Sequence, residues 1–271
     1  MDRFDDVVGV VTGSASGIGR QIALRLSQLG MRLALIDLDA DGLVETVALT
    51  SHPARHRTYT VDVADPVAVG AAVGGIVDDL GTPGLLVNSA GRLGPHLPAV
   101  WELTPGDWAE VFDVNLFGSV NFVRALVPAM QAAKSPAHIV TIASIVGVVA
   151  DGRLGAYAAA KHALVSFAET LRLELVARGA DIGVTLVCPA GVPTKLNAAI
   201  RGNRTVSRGS SSDWLSAEEV AKKVIDAVRR GDFYIFTHES SAERVRRYQQ
   251  AVLDSRADRE RLAQLPGDAF A

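Results

Sequence analysis

The sequence contains a single cysteine, Cys188, in 271 residues. A disulfide framework within the chain is thereby excluded, which suits a reducing, cytoplasmic setting. Cys188 itself reads as a small buried hydrophobe at the end of the apolar run Val184–Cys188. No uninterrupted apolar run reaches the roughly 20 residues needed to cross a bilayer, so no membrane span is expected. There is also little excess of charge: 27 Lys and Arg stand against 30 Asp and Glu, a net −3. Such a balance gives no reason to expect nucleic acid or an anionic membrane as partner. The start lacks a targeting pattern, since Asp2, Arg3, Asp5 and Asp6 lead straight into a strand pattern. No ligand cluster for a metal stands out: His52 and His56 are four apart, but Pro53 lies between them and no cysteine or carboxylate group accompanies them. Internal repeats are absent, and no low-complexity linker appears before about residue 201.

What is present is apolar material, 48% against 21% charged, enough for a sizeable core in one large α/β domain or two small ones. Strand-like β-branched runs occur at Val7–Thr12, Arg32–Asp37, Arg57–Asp62, Leu85–Asn88, His138–Ser144, Ile182–Cys188 and Asp232–Phe236. Helical patterns lie between them. Pro66–Leu80 has Pro66 in its first turn. Trp108–Ala132 is a long helix carrying Asn115, with a kink expected at Pro128. Ala156–Val176 is another, and Ser216–Arg230 opens with Ser216 and Glu219 in capping-box spacing. Alternation of this kind predicts a single α/β domain over residues 1–236, a doubly wound parallel sheet of about seven strands with helices on both faces. Residues 192–214, with Arg201, Arg204 and Arg208 among Gly and Ser, read as a mobile loop. Residues 237–271 form a charged extension in which Glu243–Leu265 has a helical pattern with Val245, Tyr248 and Val252 as its apolar positions. That tail reads as a solvated helix, or else as a lid or subunit-interface arm.

Three features carry chemistry. The first strand ends in Thr12-Gly13-Ser14-Ala15-Ser16-Gly17-Ile18-Gly19, directly before a helix. Such a turn lets a pyrophosphate approach the backbone, and the helix start offers unbonded N–H groups and a positive dipole end. The second strand ends in Asp37, where a dinucleotide fold receives the adenosine ribose hydroxyls. A carboxylate there would repel a 2′-phosphate, and Leu38 and Asp39 offer NADP no cation; the other reading of Asp37 is a cap for the helix starting near Asp41. Third, Tyr157 and Lys161 are four apart in a helical pattern and share a face across small alanines. An ammonium beside a phenol favours the phenolate, so the Tyr157 pKa is expected to fall toward the range of a general acid or base.

In that order, Thr12-Gly13-x-x-x-Gly17-x-Gly19, Asp62, Asn88-Ser89-Ala90-Gly91, Asn115, Ser144 and Tyr157-x-x-x-Lys161 resemble the marks of the short-chain dehydrogenase/reductase family. The resemblance covers roughly residues 5–236, and departs from the family's Asn-Asn-Ala-Gly at Ser89. It implies a Rossmann-type fold binding NAD, with NADP less favoured. Gly13, Ser14, Ser16, Gly17, Ile18 and Gly19 would hold the pyrophosphate, Asp37 the ribose, Asp62 and Val63 the adenine edge. Asn88, Ala90 and Gly91 would border the cofactor from the fourth strand, and Pro189, Val192 and Thr194 would border the nicotinamide. Tyr157 would act as acid or base, Ser144 would stabilise the substrate oxygen, Lys161 would hold the nicotinamide ribose, and Asn115 would anchor a water in the proton path. The substrate implied is a secondary alcohol or ketone. Apolar residues near the reacting centre (Leu93, Leu97, Ile145, Val146, Val148, Val149, Leu154, Leu196 and Ile200) suggest that it is hydrophobic, while His96 reads either as a substrate contact or as an exposed loop residue. Two other readings are an NADPH-dependent ketone or oxoacyl-thioester reductase and a non-catalytic NAD-sensing protein. A homodimer or homotetramer is expected through the two long helices.

Overall fold

The computed structural model describes residues 1, 3–95, 98–152, 154–197 and 214–254. His96, Leu97, Ile200, Arg201, Arg204, Arg208 and everything beyond Asp254 lie outside the described residues. Among the described residues, seven strands form one parallel sheet: β1 (Val8–Thr12), β2 (Arg32–Asp37), β3 (Arg57–Thr60), β4 (Leu85–Asn88), β5 (Ala137–Ile142), β6 (Ile182–Cys188) and β7 (Tyr234–Phe236). Their order is β3-β2-β1-β4-β5-β6-β7. The helices are α1 (Gly17–Gln28), α2 (Ala40–Leu49), α3 (Pro66–Leu80), α4 (Pro105–Phe112), α5 (Gly118–Ala133), α6 (Gly155–Ala177), α7 (Ala217–Arg230) and α8 (Glu239–Leu253).

The sheet is apolar on both faces because successive strand residues point opposite ways. Val10, Leu86 and Ile139 face Ile76 of α3, Phe122 and Leu126 of α5 and Leu171 of α6. Their neighbours Val11, Val87 and Val140 face Ile22 and Leu26 of α1 and Val220 and Val224 of α7. Strand order reverses between β1 and β4, which opens a crevice at the carboxyl ends of those strands. Helix starts are fixed locally. Asp65 caps α3 ahead of Pro66, Thr104 and Asp107 form a capping box on α4, and Ser216 and Glu219 form one on α7.

Three expectations are corrected. The long helix through Asn115 is two helices joined by a π-helical turn, Asp113–Phe117. The cause is Asn115 itself: its side-chain Nδ2 donates to the Val111 carbonyl, four residues back, over 2.8 Å. That carbonyl is the partner a regular helix would give to the Asn115 backbone. Pro128 sits inside α5, the second of these helices. Asp62 and Ser144 lie beyond their strands; Ser144 caps a short 3₁₀ turn, Ile145–Gly147, by accepting from the Val146 N–H.

Candidate active site

The crevice between β1 and β4 is lined by backbone that cannot carry side chains. Gly13 has φ +67°, and a Cβ there would lie 2.8 Å from the backbone of Ala90. Gly17 has φ +56°, and a Cβ there would lie 3.2 Å from the methyl of Thr194, so the chain after β6 closes over the glycine turn. Thr12 ties the two sides together, since its Oγ1 accepts from the N–H groups of Ser89 and Ala90 at 3.0 and 3.1 Å. Helix α1 begins after Ser16, whose hydroxyl makes no cap bond, leaving the first-turn N–H groups facing the crevice. Ile18 packs at the edge of the core behind the turn, and Ser14 is committed elsewhere: both its N–H and its hydroxyl donate to the Ile36 carbonyl. Both Ser14 donors thus face the Ile36 carbonyl, which shapes the turn.

Asp37 stands at the end of β2. Its carboxylate accepts from the N–H groups of Ala15 and Asp39 at 3.0 and 3.1 Å, which aims it across the glycine turn. The cap of α2 is Asp39, which accepts from Gly42. Asp39 also receives the Lys195 ammonium at 3.6 Å. The fold thus brings a cation to this corner from a segment distant in sequence, already paired with an acid. Asp62 accepts from the Ala64 N–H, while Val63 is buried under α5, its carbonyl bonded to Asn121.

These features fit a dinucleotide. A cradle exists that only glycines leave open. The Asn88 side-chain amide is buried at the end of β4 with neither atom bonded among the described residues, as a group awaiting a partner would be. A Cβ on Gly91 would lie 3.1 Å from Asn115 Oδ1 and 3.8 Å from Lys161 Nζ, so this glycine keeps the corridor between the two open.

At the inner end of the crevice sit Ser144, Tyr157, Lys161 and Asn115. Ser144 sits close enough to the Tyr157 phenol to pull its pKa down. It also faces the Pro189 carbonyl at 3.5 Å. Lys161 is buried, with its ammonium donating to the Ile142 carbonyl at 3.0 Å and lying 5.6 Å from the Tyr157 ring centre. Asn115 clamps the backbone of Arg92, accepting from its N–H and donating to its carbonyl. The expected fall of the Tyr157 pKa is not what this geometry gives. Burial pushes the phenol up to about 12, against a lowering pull from Ser144. Burial likewise brings Lys161 down to about 8. Each charge is disfavoured by loss of water, and the ammonium spends its bond on a carbonyl, not on the phenol.

A sequence profile described as short chain dehydrogenase matches residues 7–205. The chain belongs to the short-chain dehydrogenase/reductase family. It is similar to 1-deoxy-11-beta-hydroxypentalenate dehydrogenase of Streptomyces exfoliatus, 35% identical over 239 residues that span 88% of this chain and 85% of the relative. Among solved structures it resembles a short-chain dehydrogenase/reductase from Burkholderia phymatum in complex with NAD. The TM-score is 0.87 and the identity 34%, over 95% of this chain and 98% of that one. A short-chain dehydrogenase from Mycobacterium paratuberculosis bound to NAD gives a TM-score of 0.78 at 26% identity, over 89% of this chain and 99% of that one. As a member of this family the chain is an oxidoreductase.

Around Tyr157 an apolar cluster gathers Leu93, Val111, Ile145, Val146 and Val149, with Trp108, Phe112 and Leu196 packed against it. Helix α8 adds Val245, buried in the same cluster, and Tyr248 beside it. Of the two readings of this tail, a fully solvated helix is corrected by the burial of Val245, for which the i,i+3 spacing of Val245 and Tyr248 is the local signal. Cys188 is buried at the end of β6 and its thiol is raised to about 12 by burial, an inert packing group. His56 is a clip, accepting from the Leu33 N–H and bonding Ser27. Among the described residues no group of three His, Cys, Asp or Glu is placed to hold a metal, and no helix is long and apolar enough to cross a membrane.

Proposed function

We propose that the protein is an NAD-dependent dehydrogenase or reductase acting on a hydrophobic, alicyclic or lipid-like secondary alcohol or ketone. The observation that carries this reading is Tyr157 buried beside Ser144 and a buried Lys161, at the end of the glycine-lined crevice and within an apolar cluster. Bound NAD supplies the acceptor for the hydride that leaves the alcohol carbon. The Tyr157 hydroxyl takes the alcohol proton in oxidation and returns it in reduction. Ser144 donates to the substrate oxygen and stabilises its developing charge. Lys161 holds the nicotinamide ribose and restrains the charge on the phenol; Asn115 anchors a water that continues the proton path from Lys161. The glycine turn with Ser16 and Ile18 takes the pyrophosphate, Asp37 the adenosine ribose, and Asp62 and Val63 the adenine edge. Asn88, Ala90, Gly91, Pro189, Val192 and Thr194 border the nicotinamide half.

Three lines support the cofactor and substrate class: Asp37 aimed across the turn, the NAD-bound relatives, and the name of the Streptomyces relative, a hydroxypentalenate dehydrogenase. Exposed Phe117, Leu173 and Val176 on and beside the long helices support assembly of a homodimer or homotetramer, which light scattering tests directly. The lone buried cysteine supports a reducing, cytoplasmic setting.

The deciding experiment is Tyr157→Phe, assayed on a panel of alicyclic and long-chain secondary alcohols with NAD and with NADP. Turnover should fall by roughly 10²–10⁴-fold, while NAD still binds. Near-normal turnover in the variant would refute the assignment, and a clear NADP preference in the parent protein would refute the cofactor.

A further inference from the structure

One buried histidine has no part in the chemistry proposed above. His238 stands at the start of α8 and is 6% exposed. Its Nδ1 accepts the backbone N–H of Ala190 over 3.2 Å and lies 2.7 Å from the Thr237 hydroxyl, while its Nε2 lies 3.1 Å from the Gly191 carbonyl. A backbone N–H can only donate, so Nδ1 carries no proton. The neutral ring then holds its proton on Nε2, aimed at the Gly191 oxygen. One imidazole thereby satisfies a donor and an acceptor on adjacent residues of the same turn.

The site depends on that turn from both sides. Upstream, the Pro189 carbonyl accepts from the Ile145 N–H at 2.8 Å and faces the Ser144 hydroxyl. Downstream come Val192, buried against the core, and Thr194, whose methyl closes over Gly17. Gly191 is held from a second direction as well. Its carbonyl accepts from the Leu215 N–H at 3.3 Å, and the Trp214 ring lies where a Cβ on Gly191 would meet it at 3.0 Å.

We infer that His238 is a positioning residue for the dehydrogenase reaction. It locks the Pro189–Ala190–Gly191 turn, and through that turn fixes Ser144 on one side and the cofactor-facing wall on the other. The inference rests on the NAD-dependent reading above. It also gives the C-terminal segment a task. Helix α8 begins on the residue that grips the turn, and two turns later it delivers Val245 to the cluster around Tyr157.

The test uses the full chain with His238→Ala and His238→Asn. Asparagine places Oδ1 near the position of Nδ1 and can still accept from Ala190. NAD affinity is read by quenching of tryptophan fluorescence, and steady-state kinetics and melting temperature are measured alongside. In His238→Ala the KM for NAD should rise on the order of tenfold, as an orphaned buried donor leaves the turn loose, and kcat should fall several-fold. His238→Asn should recover most of both. If His238→Ala does not fold, His238→Gln replaces it, since glutamine reaches Gly191 but leaves Ala190 unpaired. A lowered melting temperature with KM and kcat unchanged in the folded variants overturns the inference. Parent protein that binds no NAD sinks the cofactor reading and this inference with it; normal turnover in parent and variants alike sinks the inference alone.

Discussion

The Lys161 ammonium donates to the Ile142 carbonyl over 3.0 Å, and both residues are buried. Ile142 is the last residue of β5, and Ser144 follows two positions later. A single strand end therefore sets both the height of the ammonium and the aim of the serine hydroxyl. The arrangement favours neither partner's charge. Lys161 sits at about 8 and Tyr157 at about 12 because both lack water. We read this as a site held in tension until a cofactor ribose and a substrate oxygen supply the missing bonds.

Lys161→Met should separate stability from activity. With Lys161 at about 8 in the fold against 10.5 ordinarily, the unfolded chain holds the extra proton between those values. The charge thus costs stability throughout the range below about pH 8, and the cost disappears as pH rises through about 10.5. Methionine removes it but leaves the Ile142 carbonyl unpaired. Urea titration at pH 7 should show a gain of about 1–3 kcal/mol, with turnover lost by about 10²-fold or more. A destabilised variant at pH 7 would contradict the account.

Asp37 should decide between cofactors. Its carboxylate is oriented by Ala15 and Asp39, and the two cations at this corner are already paired, Lys195 with Asp39 and Arg20 with Glu45. Asp37→Ser removes the acceptor for two ribose hydroxyls and the repulsion toward a 2′-phosphate. We expect kcat/KM with NAD to drop about 10–100-fold, the worth of a charged hydrogen bond, and NADP to gain relative to NAD. An unchanged NAD to NADP ratio would show that ribose recognition lies elsewhere.

The parts of this molecule that could be read from sequence are those written in local pattern. The β-branched runs gave strands β2, β4 and β6 to the residue, and the Ser216/Glu219 spacing gave the start of α7, because both depend on near neighbours. The break at Asn115 was invisible, since it needs the Arg92 backbone to hold the amide that steals the Val111 carbonyl. The Tyr157 and Lys161 pair was legible as a shared helix face, but the direction of the tyrosine shift was not. Helical spacing reports proximity, whereas burial by β5, β6 and α8 decides solvation. Lys195 near Asp39 and Val245 near Tyr157 are likewise products of the fold alone.

Two buried histidines should make the protein acid-labile. His56 and His138 are each lowered to about 4 by burial, His56 bonding Ser27 and His138 bonding Thr185. With folded values below the ordinary 6.5, the unfolded chain binds the proton first. Their stabilisation is complete above about pH 6.5 and is lost as pH falls toward 4, by about 1.4 kcal/mol per pH unit for each ring. Denaturant titrations at pH 7, 6 and 5 should show this slope, and His138→Gln should halve it. A flat profile over that range would show that neither ring resists protonation.

Val245 should set the size of substrate the chamber accepts. It joins the cluster of Tyr157, Leu93, Ile145 and Val149 from α8. A larger side chain there would press on the cluster that holds Tyr157. Val245→Phe should therefore raise KM for bulky alicyclic alcohols about tenfold or more, the scale on which a few methylenes in an apolar pocket discriminate. Small secondary alcohols should keep their kcat/KM, and NAD affinity should be unaltered. Equal losses for small and bulky alcohols would mean that the variant distorts Tyr157 and does not line the pocket. If neither class is affected, the chamber wall lies elsewhere and α8 serves only to cover the core.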